Sequence, residues 1–298
     1  MAETRTHDVT TPDGRNLRAI ELGASDAPLL VVHHGTPMSG AVFRPEAESA
    51  EQLGLRLLAY DRPGYGGSTR QEGRKVGDAA ADVATILDHL GVERFATYGI
   101  SGGGPHALAC AALLPERCAA AASVAGVAPA DQPDLDWLAG LGEGNIAEFG
   151  AAREGPEALT KNLTEQAEGM LGAQPEQLVD AMRPHLSEVD ANALTGELAE
   201  FLLDATRRGL EPGIDGWFDD DLAFLAPWGF DLSDMQVPVA VWQGEQDHMV
   251  PPDHGRWLGS HVAHAEASIF PDEGHLTLAV SRIGDVHAWL RHRLVQPS

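Results

Sequence analysis

Residues 98–110, YGISGGGPHALAC, set one serine, Ser101, among the glycines Gly99, Gly102, Gly103 and Gly104. The run before it, RFATYGI (94–100), has the apolar and β-branched character of a strand. The run after it, GGPHALACAALLP (103–115), reads as a helix, with Pro105 in the first turn, where a missing N–H is tolerated. The chain is therefore expected to pass from strand to helix at Ser101. So sharp a turn strains the central residue and crowds the residues two positions to either side, which accounts for Gly99 and Gly103. It also aims the free N–H groups of the helix start at whatever Ser101 would attack, with the Gly102 N–H placed to stabilise an oxyanion. Two other glycine-rich loops fail on the residues. A dinucleotide loop needs glycine where Ser101 stands, and a phosphate loop needs a Lys-Ser/Thr pair that is absent. A turn with an idle serine stays open until a base and an acid are found.

Working outward, RNLRAIEL (15–22), PLLVVHH (28–34), RLLAYD (56–61) and CAAAASVAG (118–126) read as strands. FRPEAESAEQLG (43–54) and VGDAAADVATILDHLG (76–91), the latter stopped by Gly91, read as helices. This alternation predicts the α/β class, with a mostly parallel central sheet flanked by helices. Between 127 and 230 the pattern turns helical without strands, as in PEALTKNLTEQAEGML, PEQLVDAMRPHL and DANALTGELAEFLLDATRRGL. Strand and helix resume with PVAVWQG (238–244), HGRWLGSHV (254–262), ASIFP (267–271) and a final helix near 276–294, PWGF (227–230) marking the return. The expected organisation is a core of 1–126 and 231–298 interrupted by a helical cap insertion, 127–230. That insertion holds 5 basic against 21 acidic residues. The excess reads as solvated helix faces or, functionally, as a lid whose field disfavours anionic ligands.

A serine hydroxyl needs a base, and the base needs an orienting acid. Asp247 follows the strand PVAVWQG within GEQDHMVPP, and His275 follows ASIFP within PDEGHLTLAV. Both fall at carboxyl ends of predicted strands, in the order Ser, Asp, His. Asp247 is alternatively an N-cap for the helix beginning near Pro251, and Asp131 is the reserve acid. His248, His287 and His292 read as surface or packing residues, and Asp272 and Glu273 as loop carboxylates without a clear role. The second oxyanion donor is expected from the backbone N–H of Thr36 in His34-Gly35-Thr36-Pro37, since Pro37 has no N–H to give. Trp217, Trp228 and Phe149 are candidates for the pocket wall.

The formal charge of −25 argues against nucleic-acid or anionic-membrane partners. No apolar run reaches the length of a membrane span, and the start of the chain lacks a secretory h-region. The two cysteines, Cys110 and Cys118, form no metal-spaced or disulfide framework, so a cytoplasmic location is expected. His261 and His264 share a helical spacing without a third ligand, and no metal or other cofactor is expected.

Taken in order, HHGTP, DRPGYGGS, GISGGGPHA, GEQDHMVP and EGHLTL resemble the landmark segments of the α/β-hydrolase superfamily, over residues 33–278. The resemblance extends to cap-bearing esterases, proline iminopeptidases, haloalkane dehalogenases and cofactor-free haloperoxidases. It implies the α/β-hydrolase fold, with Ser101, Asp247 and His275 as nucleophile, acid and base, Thr36 and Gly102 as oxyanion donors, and DRPGYGGS as site floor. A serine nucleophile departs from dehalogenases and epoxide hydrolases, which need a carboxylate. HGTP departs from the HGGPG-like run of iminopeptidases. The expected activity is hydrolysis of a small-molecule carboxylic ester or lactone, fading below about pH 6 as His275 becomes charged. The alternatives are an aminopeptidase of the iminopeptidase type, perhydrolysis by the same residues, and a non-catalytic receptor.

Overall fold

A computed structural model describes residues 4–130 and 132–296. The reserve acid Asp131 lies outside the described residues. Eight strands form one sheet: β1 (Thr4–Thr10), β2 (Asn16–Leu22), β3 (Leu29–His33), β4 (Arg56–Tyr60), β5 (Phe95–Ile100), β6 (Cys118–Val124), β7 (Val239–Gly244) and β8 (Ala265–Phe270). Their spatial order is β1-β2-β4-β3-β5-β6-β7-β8. β2 runs antiparallel to both β1 and β4, and every other pairing is parallel.

The helices are α1 (Arg44–Gln52), α2 (Ala79–Leu90), α3 (Gly104–Leu113), α4 (Glu143–Glu154), α5 (Pro156–Gly172), α6 (Pro175–Met182), α7 (Glu188–Ala193), α8 (Gly196–Gly209), α9 (Asp215–Leu225), α10 (Pro252–His261), α11 (His275–Ser281) and α12 (Ile283–Val295). Strands β3 and β4 are buried along their whole length, as apolar runs covered on both faces must be. Leu29 and Val31 pack with Val83, Ile86, Leu108 and Leu258 of α2, α3 and α10. Leu30 and Val32 pack on the other face with Ala50, Val286 and Leu290 of α1 and α12.

Two elements differ from the sequence reading. β1, TRTHDVT, carries no apolar alternation to mark it as a strand. Instead it sits at the sheet edge and is tied to β2 by polar pairs, among them Arg18 Nε–Asp8 (3.0 Å) and His7 Nε2–Glu21 (2.9 Å). The single helix expected near 276–294 is two, α11 and α12. The chain turns at Arg282, where Ser281 Oγ (2.6 Å) and Arg282 Nε (2.9 Å) both donate back to Glu273 Oε1.

Among the described residues, six helices, α4 to α9, intervene between β6 and β7. Phe149 of α4 and Phe224 of α9 belong to the same apolar cluster as Leu29 and Val31, and two further clusters join these helices to the α/β layers. Leu186, Leu194 and Leu198 pack with Phe43 and Leu276, and Leu159, Leu163 and Trp217 pack with Tyr65. The parallel arrangement brings the carboxyl ends of β3, β5, β7 and β8 to one edge, where the loops carrying Thr36, Ser101, Asp247 and His275 begin.

At the β5–α3 turn, a Cβ on Gly99 would stand 2.0 Å from the Gly103 carbonyl oxygen, and one on Gly103 would stand 2.1 Å from that of His33. Backbone meets backbone at both, so no side-chain movement relieves the clash. Gly99→Ala is expected to destabilise the protein by about 2 kcal/mol or more. A chemical-denaturation midpoint equal to that of the unaltered protein would contradict this packing.

Candidate active site

Ser101 leaves β5 with φ +56°, a left-handed conformation uncommon for a residue with a side chain. Ile100 before it is still extended, and the 3-10 turn Ser101–Gly103 leads directly into α3. The sequence expectation of a strained residue between strand and helix thus corresponds to an observed backbone outlier. Gly35 lies against this residue, since a Cβ there would be 3.5 Å from the Ser101 Cβ. A Cβ on Gly102 would be 2.4 Å from Thr36 Oγ1. The two residues expected to supply oxyanion donors are therefore neighbours beside Ser101.

Asp247 and His275 come together from separate loops. His275 Nδ1 lies 2.8 Å from Asp247 Oδ2, and both side chains are buried. The same Asp247 oxygen accepts from Gln243 Nε2 (3.0 Å), while Oδ1 accepts from the backbone N–H groups of Met249 and Val250 (2.8 Å each). These four contacts fix the carboxylate in one orientation. Close passage of the two loops explains Gly244, where a Cβ would lie 2.4 Å from the Gly274 carbonyl oxygen. Burial acts to lower the His275 pKa. The charge and hydrogen bond of Asp247 outweigh it, with a further contribution from Asp190, and the imidazole is raised above its ordinary 6.5. With Nδ1 engaged by Asp247, Nε2 is left for the cavity.

That cavity, about 270 Å³, is lined by Ser101, His275, Thr36 and Gly102. Most of its remaining wall is apolar, including Met38, Phe43, Phe149, Met170, Phe201 and Trp217. Phe149 and Trp217 therefore face it, as considered from the sequence. Trp228 is not among its lining residues. It packs against Phe230 in the core, while its carbonyl oxygen accepts from Gly77 N (2.8 Å) where the chain returns from α9. His287 is buried against Ser49 and Tyr98, and His248 is exposed.

The inserted helices contribute residues that sequence reasoning missed. Among the described residues of 127–230, Glu148, Asp190, Asp219, Asp220 and Asp221 are buried, so this part of the acidic excess is not a solvated face. Asp220 Oδ2 accepts from Arg62 Nη2 (2.6 Å), Thr36 Oγ1 (2.7 Å) and Tyr65 OH (2.8 Å), and Arg74 Nη2 lies 2.6 Å from Oδ1. Burial would raise the Asp220 carboxyl, but the guanidinium groups of Arg62 and Arg74 hold it well below the ordinary range. Arg62 also donates its backbone N–H to His34 Nε2 (3.1 Å), which leaves the His34 proton on Nδ1, facing the Gly35 carbonyl oxygen at 2.9 Å. The loop DRPGYGGS is thus more than floor. It ties the Thr36 loop to α9 through a buried ion network. A second pair, Glu148 and Asp221, lines the cavity. Glu148 accepts from Trp217 Nε1 and Gln166 Nε2 (3.1 Å each), while among the described residues neither Asp221 oxygen has a donor. Burial raises both carboxyls, and the Glu148 and Asp220 charges raise Asp221 further. A proton on Asp221 turns its approach to Glu148 into a hydrogen bond. Adjacent acidic residues in FDDDLA, on an otherwise apolar helix, were the available signal for both sites.

A bifunctional esterase/perhydrolase from Acinetobacter calcoaceticus is 27% identical over 246 residues, 82% of this chain and 83% of that protein. Epoxide hydrolase A of Mycobacterium tuberculosis is 31% identical over 122 residues, 40% of this chain and 38% of that one. Among solved structures, a thermophilic esterase from Thermogutta terrifontis superposes with a TM-score of 0.68 at 22% identity, over 98% of this chain and 100% of that one, a likeness of fold. The family described as alpha/beta hydrolase fold matches residues 28–281. With the eight-stranded sheet and the strand–turn–helix at Ser101, that match makes the chain a member of the alpha/beta hydrolase family.

Proposed function

We propose that this hydrolase cleaves a small-molecule carboxylic ester or lactone through an acyl-enzyme on Ser101. The observation that carries the reading is the Asp247–His275 pair, hydrogen-bonded at 2.8 Å and opening on the cavity that Ser101 lines. His275 Nε2 takes the proton of Ser101 Oγ as the oxygen attacks the ester carbonyl carbon. The oxyanion formed is held by the backbone N–H groups of Thr36 and Gly102. Collapse of the tetrahedral species expels the alcohol, which takes its proton from His275. Water then attacks the acyl carbon with His275 again as base, which frees the acid and restores Ser101. Asp247 fixes the imidazole tautomer and supports its charged form. The apolar wall suits a hydrocarbon acyl or alcohol group, and the similarity to a protein named an esterase/perhydrolase supports both ester cleavage and attack by peroxide in place of water.

A second reading, hydrolysis of an aminoacyl amide, is favoured by the Glu148–Asp221 pair in the cavity wall, which would accept hydrogen bonds from an ammonium group. A panel of p-nitrophenyl esters against aminoacyl anilides separates the two. Faster turnover of anilides would overturn the ester assignment. A third, non-catalytic receptor reading predicts that a fluorophosphonate leaves Ser101 unlabelled, whereas the hydrolase reading predicts stoichiometric labelling.

Ser101→Ala is expected to lower kcat by roughly 10⁴–10⁶-fold, and Asp247→Asn by about 10⁴-fold. Near-unaltered ester turnover in either variant would contradict the assignment. Because the catalytic form of His275 is neutral and its pKa is raised, activity is lost as pH falls through that raised value. The acid limb of kcat/KM should therefore lie above pH 6.5, higher than the sequence alone suggested. A limb well below 6 would show that Asp247 does not act on His275 in this way.

A further inference from the structure

Asp190 belongs to α7, among the inserted helices, yet its buried carboxylate binds the start of α11, 85 residues further along the chain. Oδ2 accepts from His275 N (2.7 Å), and Oδ1 accepts from Leu276 N and Thr277 N (2.9 Å each). These are first-turn N–H groups, which have no partner within their own helix. A helix normally finds this acceptor in its own preceding side chain. Here that position is Gly274, which has none, and a Cβ there would stand 2.3 Å from Asp190 Oδ2. The missing local cap and the incoming carboxylate thus fit one another. Thr277 Oγ1 completes the turn by accepting from Gly274 N (2.7 Å), and Ser187 Oγ accepts from Asp190 N (3.5 Å), which steadies α7.

We infer that Asp190 is a positioning residue: it fixes the backbone from which the His275 imidazole projects, so that the active site is assembled only when α7 is seated on the core. The inference rests on the reading of Ser101 and His275 as the reacting pair. Its geometric basis is that all three hydrogen bonds fall on His275 and the two residues after it. A change there tilts α11 and swings Nδ1 away from Asp247. The negative charge also acts on the imidazole, and Asp247 and Asp190 are the two charged groups that raise it. The apolar packing of Leu186, Leu194 and Leu198 against Leu276 brings α7 and its neighbours to the same place independently of Asp190, so the insertion retains contact with the core when the carboxylate is removed.

The test compares Asp190→Ala, which deletes the acceptor, with Asp190→Asn, which keeps one acceptor oxygen and removes the charge. Folding is checked by circular dichroism, and Ser101→Ala is run in the same ester assay. Asp190→Ala is expected to lower kcat by roughly 10²-fold with KM within a few-fold, as misplacement of a reacting group does. Asp190→Asn should recover part of that loss, and the His275 titration midpoint, followed by NMR, should fall in both. A wild-type kcat in a folded Asp190→Ala or Asp190→Asn protein overturns the proposal. If Ser101→Ala keeps full ester turnover, the serine-hydrolase reading itself fails. NMR then decides on Asp190 without any turnover, and an unmoved His275 midpoint with an unchanged Nδ1 proton signal overturns it. Should the alanine protein not fold, the asparagine protein carries the same outcomes.

Discussion

At Ser101 a strand becomes a helix within one left-handed residue, and the room for that turn is set by backbone atoms rather than side chains. Gly99 faces the carbonyl of Gly103, and Gly103 faces that of His33, at distances no Cβ could occupy. Because β3 and β5 are parallel neighbours, with His33 opposite Gly99, this contact brings the end of β3 against the start of α3. The Thr36 loop follows directly, and its residue Gly35 lies on Ser101. One steric constraint therefore sets the serine, both expected oxyanion donors and the direction of α3 together. The sheet supplies the rest by ending β7 and β8 at the same edge, where the Asp247 and His275 loops also pass too closely at Gly244 for a Cβ.

The inserted helices enter this arrangement through carboxylates. Asp220 reaches Thr36, Arg62, Tyr65 and Arg74, and Asp190 reaches the first turn of α11. The first anchors the loop of one expected oxyanion donor, and the second anchors the helix that begins with the expected base. Both are buried, and each is matched by cationic or backbone donors, which is the condition for burying a charge without a large loss of stability. Asp190 and Asp220 thus tie α7 and α9 to the core loops, in addition to the apolar packing of these helices.

Much of this was legible in the sequence. The β/α alternation, the Gly-x-Ser-x-Gly turn and the two later loops located the sheet, two residues that line one cavity, Ser101 and His275, and a third, Asp247, that is hydrogen-bonded to His275, because apolar runs and glycines report directly on backbone geometry. β1 was not legible, because an edge strand held by Arg5, His7, Asp8 and their partners lacks the alternation that marks a strand. Nor were the roles of Asp190 and Asp220. In the sequence they are two acids among 21 in a region of strong negative charge. Only the tertiary fold distinguishes a carboxylate that meets three backbone N–H groups, or two arginines, from one that meets water. Trp228 shows the converse: an aromatic residue of 127–230 considered for the pocket wall is a core residue in space.

The central claim is that Ser101 carries the acyl group during turnover. The measurement that tests it most directly is mass spectrometry of the protein quenched in acid while it turns over a slowly deacylating p-nitrophenyl ester. The account predicts an added acyl mass on the peptide that holds Ser101, its absence in Ser101→Ala, and its disappearance once substrate is exhausted. Steady ester turnover with no adduct, or with the adduct on another residue, would contradict it.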